Sequence, residues 1–220
     1  MAKTREKILE AAWKLFAEKG FEAVSVRDVT NAAKVNLASV SYHFNGKDGL
    51  IQEIVSQCLV PMNRQRVRLL QQAGEEAGNI EKVPLDKIIE AYVRPVVHPE
   101  EYASCPKMIA QLVARSLINE SADVPKAVFV SFRDVYQIFS IALASQFPDI
   151  DASKAVKNFI FATGAVFMFH SFSGLANKAT EDILDYDNDK KDFLDDAIKF
   201  CTAGFKYTCI EYDKSAKDPR

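Results

Sequence analysis

The 220-residue chain is short of the side chains that carry most metal and redox chemistry, with four cysteines, three histidines and one tryptophan. Cys58, Cys105, Cys201 and Cys209 show no CxxC spacing and lie in apolar helical segments, where a thiol packs as a small hydrophobe. His43, His98 and His170 stand apart from any cysteine pair, so clustered zinc ligands are missing and neither a metal nor a cofactor is expected. No run of 18 apolar residues is evident, and Met1 to Lys7 is charged instead of signal-like, which reads as a soluble, cytoplasmic chain with no membrane partner. A nucleophile elbow, a Walker loop, a dinucleotide fingerprint and a zincin motif are all lacking. Ser41 and His43, two apart on a helix, face different ways, so an enzyme is not expected. Asp185, Asp187 and Asp189 open like a calcium loop, but Lys190 stands where the sharp turn needs glycine and Asp196 where glutamate closes it; they read as solvated loop carboxylates.

What is present is ample apolar material at helical spacing, 48% of the residues, with no period-two stretch long enough for a sheet. The fold class is therefore all-α, with about nine helices. Charge is uneven along the chain: residues 1–70 carry 11 Lys and Arg against 7 Asp and Glu, and the remainder carries an excess of acid. That basic front end acquires meaning only beside a motif.

The first helix, about Thr4 to Lys19, places Ile8, Ala12, Leu15 and Phe16 on one face and stops at Gly20. A short helix follows from Ser25 to Ala33, with Ser25 as cap and Asp28 at the positive end of its dipole. After Lys34, Val35 and Asn36 comes another short helix, Leu37 to His43, stopped by Phe44, Asn45 and Gly46. A long helix from Lys47 to about Gln72 carries Pro61, which predicts a kink. Further helices are expected at Leu85–Val97, Glu101–Ile118, Val124–Gln146, Asp151–Asn177 and Lys190–Tyr212, with a frayed tail.

Three closely spaced short helices with a tight turn between the second and third have the dimensions of a helix-turn-helix, whose second helix enters the major groove. Val40 and Phe44, four apart, face inward and leave Leu37, Ala38, Ser41 and Tyr42 outside. Small side chains let the backbone approach base edges; Ala38 suits a thymine methyl and Ser41 a base or phosphate. Lys47, a cation in the first turn of its helix, opposes the macrodipole unless a phosphate docks there.

Val35 to Leu50, VNLASVSYHFNGKDGL, with the approach RDVTNAAKV, resembles the signature of the tetracycline-repressor (TetR) family of regulators. The likeness covers about the first 60 positions. It implies a DNA-binding domain over residues 1–50 and a helical effector-binding and dimerisation domain over 51–220. Carried over position by position, it implies phosphate contacts at Ser25, Tyr42, His43 and Lys47 and base reading by Leu37, Ala38, Ser39 and Ser41. Two departures stand out, Lys34 at a turn position usually held by glycine and Gly46 at one usually held by serine.

In the larger half, Asp151–Asn177 is apolar almost all round and is expected to be buried on every side, one face as dimer seam and the other as core. The stripe Phe193, Leu194, Ala197, Ile198, Cys201, Phe205 and Cys209 on the last helix is the expected second half of a homodimer interface, as the resemblance also implies. Effector-pocket candidates are Tyr92, Phe129, Phe132, Arg133, Tyr136 and His170, apolar and aromatic with a few polar groups. The expected function is a ligand-responsive regulator, a repressor released from palindromic double-stranded operator DNA by a small apolar or aromatic effector. The alternative is a helical adaptor that binds protein without DNA specificity.

Overall fold

A computed structural model of the chain describes residues 2–98, 125–148, 150–179 and 190–211. Among them the order is α1 (Ala2–Lys19), α2 (Val26–Ala33), α3 (Ala38–Phe44), α4 (Lys47–Ala77), a 3-10 turn (Ile80–Lys82), α5 (Leu85–Val97), α6 (Lys126–Gln146), α7 (Ala152–Ala179) and α8 (Lys190–Lys206), closed by a π-helical turn at Tyr207–Glu211. No strand occurs among the described residues, so the fold is all-α. The helix expected at Glu101–Ile118, Cys105, the aspartates at 185–189 and the tail from Asp213 lie outside the described residues.

The chain forms two compact units, Met1–Asn63 with Ala103–Arg133, and Arg64–Tyr102 with Asp134–Arg220. The first therefore extends past residues 1–50, taking the opening turns of α4 as part of its core. Ile8, Ala12 and Phe16 of α1 are buried as their spacing requires, and Trp13 joins them, while Leu15 is only partly buried. Phe21, Val24, Val29, Val40, Phe44, Leu50, Ile54 and Met62 complete the cluster, with Phe16 and Phe21 in ring contact at 5.2 Å. Full burial of one such side chain stabilises by about 2 kcal/mol, so this cluster fixes three short helices that could not stand alone. Ala127, Val128 and Phe132 of α6 pack against it.

α4 is longer than its polar end predicts, running to Ala77 instead of Gln72. Gln, Glu and Ala sustain a helix without an apolar partner, and the stop comes where Gly78 turns to φ +80°. Pro61 lies inside α4, where it can donate nothing to the Gln57 carbonyl. α6 is long without being an unbroken apolar run. By length and composition it is apolar enough to cross a membrane, although Arg133 and Asp134 sit at its centre.

In the second unit α5 buries Ile88, Ile89, Tyr92, Val93, Val96 and Val97, and α8 packs mainly upon it through Leu194, Ala197, Cys201 and Phe205. α7 was expected to give one face to the core and the other to a dimer seam, and within the single chain its described side chains divide into a covered and an open set. Asn158, Phe159, Ala162 and Val166 are buried, while Val156, Ile160, Phe161 and Met168 face outward, Phe161 69% exposed. The described hydrophobic surface of α7 thus exceeds what the described helices cover. Phe200 and Tyr207 are likewise open, on the side of the last helical segment opposite its buried stripe.

Candidate nucleic-acid interface

Each turn of the helix-turn-helix is set by short-range bonds. At the start of α2 the Ser25 hydroxyl accepts from the Asp28 amide at 3.1 Å, and the Asp28 carboxylate accepts from the Ser25 amide at 2.8 Å, a capping box. The Ser25 hydroxyl also donates to that carboxylate at 2.6 Å, and these bonds, the hydroxyl's first, hold the Asp28 carboxyl below the usual carboxylate range. Ser25 is exposed, as a phosphate contact must be, but its hydrogen is already engaged by Asp28.

At the other end of α2 Lys34 adopts φ 54°, ψ 50°, the left-handed region, which costs a non-glycine residue about 1 kcal/mol. Its amide donates to the Asn31 carbonyl at 3.2 Å and the Val35 amide to the Thr30 carbonyl at 3.0 Å, the paired bonds of a Schellman stop. Val35 then drops toward the core, and the Asn36 side chain accepts from the Ala38 amide at 2.9 Å, capping α3. The departure at Lys34 is thus met by a left-handed backbone and not by another turn type. Asn45 and Gly46 form the stop of α3 with φ 58° and +97°, and the second value suits glycine.

α3 itself is divided as its spacing predicts. Val40 and Phe44 are buried; Leu37, Ala38, Ser41 and Tyr42 are exposed, Tyr42 by 75%; Ser39 and His43 are half-buried. The Tyr42 ring stands edge-on to His43 at 4.9 Å between centroids. Lys47 is the first residue of α4, half-buried, and its Nζ donates to the Glu22 carbonyl at 3.5 Å, which keeps the cation beside the loop that precedes α2. Beneath this surface Arg5 pairs with Glu53 at 2.6 Å and lies over the Phe44 ring at 5.2 Å, tying α1 to α4 and α3. Seven groups expected to meet DNA, Leu37, Ala38, Ser39, Ser41, Tyr42, His43 and Lys47, therefore sit on α3 or just beyond it.

Of the effector candidates, Tyr92 and Tyr136 lie in the second unit. Tyr92 is buried and in ring contact with Phe159 at 4.3 Å and Phe139 at 5.4 Å, and Tyr136 joins them at 5.8 Å from Phe159. Phe129, Phe132 and Arg133 belong to the first unit: Phe132 packs on its core, whereas Phe129 and Arg133 are exposed. The His170 side chain lies outside those described. Arg66 was not foreseen. It is fully buried, its Nε donates to the Tyr92 carbonyl at 3.1 Å, and its guanidinium lies 4.2 Å from the Tyr92 ring centre. Burial pushes its pKa down. The signal was in the spacing, because Met62, Arg66 and Leu70 recur every four residues along one buried stripe of α4.

Two family patterns match this chain, the bacterial regulatory proteins of the tetR family over residues 8–54 and the tetracyclin repressor-like C-terminal domain over 90–204. The chain belongs to the TetR family. It is thereby a member of a family of DNA-binding regulatory proteins, not of enzymes. Among curated TetR-type relatives, YttP of Bacillus subtilis, described as a probable HTH-type transcriptional regulator, is 48% identical over 54 residues, 24% of this chain and 26% of its own length. IcaR of Staphylococcus aureus, the negative transcriptional regulator of the biofilm operon icaADBC, is 27% identical over 110 residues, 45% of this chain and 57% of its own. The chain thus aligns with between about a quarter and three-fifths of these relatives. HlyIIR, a hemolysin II transcriptional regulator, shares the fold at a TM-score of 0.56 and 22% identity, covering 91% of this chain and 98% of that one.

Proposed function

We propose that this TetR-family chain is a homodimeric, sequence-specific transcriptional repressor released from a palindromic operator by a small apolar or aromatic effector. One observation carries the DNA half of that reading. A seven-residue helix is anchored by Val40 and Phe44 and presents Leu37, Ala38, Ser41 and Tyr42 to solvent, with both flanking turns fixed by capping bonds. A packing helix would have no use for that bare face. In this reading Leu37, Ala38, Ser39 and Ser41 meet base edges, and Tyr42, His43 and Lys47 meet phosphates with Ser25.

The open apolar face of α7, with Phe200 of α8, supports dimerisation through the helices spanning 151–177 and 190–212, since a patch of this kind marks an interface. The aromatic group around Tyr92, closed by Thr163, whose hydroxyl lies 3.3 Å from the Tyr92 hydroxyl, supports an effector site in the second unit. α4 runs as one helix from the reading head into that unit, so an effector that favours one setting of α4 shifts the DNA-competent population. IcaR's description as a negative regulator supports repression as the output.

The test is selection of bound duplexes from a random DNA pool with the purified full chain, then affinity at several salt concentrations. Enrichment of a palindrome with steep salt dependence is expected. Enrichment of no sequence would overturn sequence-specific binding and turn attention to a protein partner.

A further inference from the structure

We propose that Lys34 is a DNA-backbone contact of this chain, its ammonium stationed at the α2–α3 turn to take a phosphate oxygen. The inference rests on the DNA-binding reading above and adds to it a residue at which the family resemblance implies no contact.

The turn holds Lys34 in a left-handed conformation from both sides. The Schellman bonds to Asn31 and Thr30 lie behind it, and the Asn36 cap on Ala38 lies ahead. Glycine would occupy φ 54° without strain, so the lysine sits here against its backbone preference. A cation following α2 does favour the negative end of that helix, yet one placed a residue or two earlier would do so from an ordinary helical backbone. Lys34 is exposed and makes no ion pair among the described residues, so no described carboxylate claims its charge.

Its position completes a pattern. α3 is seven residues long, about 10 Å at 1.5 Å per residue, so cations at its two ends would reach different stretches of backbone. Tyr42, His43 and Lys47 all stand at the C-terminal end. At the N-terminal end, the cation closest along the chain to Leu37 and Ala38 is Lys34, three residues before Leu37. With Lys34, a cation stands before α3 as well as after it.

The experiment compares the full chain with Lys34→Gly, Lys34→Gln and Lys34→Arg, on the duplex enriched by selection and on a mixed-sequence duplex, across a salt series. Lys34→Gly and Lys34→Gln should lose about tenfold in affinity on both duplexes and flatten the slope of log K against log salt by about 0.9 per protomer. Lys34→Arg should keep the slope, and base preference should not move. The melting temperature of Lys34→Gly should equal or exceed that of the wild type, which separates lost contact from lost fold. A Lys34→Gly chain with wild-type affinity and slope overturns the contact while leaving the DNA-binding reading intact. A wild-type chain that binds neither duplex overturns both.

Discussion

The guanidinium of Arg66 lies 4.2 Å from the centre of the Tyr92 ring and its Nε donates to the Tyr92 carbonyl, so one side chain of α4 grips both the ring and the backbone of α5. Replacing it by alanine removes the stacked plane and the bond and opens a void, and should lower stability by about 3 kcal/mol. Arg66→Lys, which keeps charge without the planar fork, should recover only part of this. Urea unfolding of both variants is the check, and equal stability of Arg66→Ala and wild type would remove Arg66 from the architecture of this unit.

The cap of α2 predicts a second effect. Ser25→Ala should cost about 1 kcal/mol, the usual worth of a serine N-cap. The Asp28 carboxyl, lowered in the fold by the Ser25 bonds, contributes stability that is present above the usual carboxylate range and is lost as pH falls through its lowered value. Acid unfolding of the wild type should therefore show this loss, and Ser25→Ala should show less of it.

The thiols offer a third. Burial pushes Cys201 up to about 11, so at pH 8 it should resist alkylation along with buried Cys58, while half-buried Cys209 labels before both of them. The same shift makes the contribution of Cys201 fully present below the ordinary thiol range and lost as pH rises toward 11, because the unfolded chain ionises first. Peptide-resolved mass spectrometry after timed alkylation reads the order directly.

On DNA, Lys47→Ala should weaken binding to every sequence several-fold and flatten the salt slope, whereas substituting Ala38 or Ser41 should change which bases are preferred. Repeating the selection with each variant checks the division. A changed base preference in Lys47→Ala would place that lysine on the wrong side of it.

For assembly, Phe161→Asp or Phe200→Asp sets a charge on the open apolar faces of α7 and α8 and should turn a dimer into folded monomers. Sedimentation at matched concentration decides, with helical circular dichroism confirming that the fold persists.

Much of the reading head was legible because its rules are local. Ser25 and Asp28 announce a capped helix three residues apart, and Val40 with Phe44 mark the inner side of α3. α4 was misjudged at its far end, since polarity was read as a stop whereas Gly78, further on, supplies one. In the larger half composition proved ambiguous. The apolar girth of α7 could not say that Phe161 stays open while Phe159 is covered, because that depends on what α5 and α8 bring to one side only. Arg66 went unnoticed for a similar reason: a charged residue on an otherwise apolar stripe reads as solvent-facing until the partner carbonyl from another helix is in view.

The bonds that delimit α2 and α3 join residues no more than five apart, Ser25 to Asp28, Lys34 to Asn31, Val35 to Thr30 and Asn36 to Ala38. Contacts so close in sequence form early, before any long loop must close. The core beneath them, by contrast, is finished by Ala127, Val128 and Phe132, some ninety residues downstream. During synthesis the turns around α2 and α3 would therefore take shape long before α6, which adds a last partly buried layer to that core, has left the ribosome.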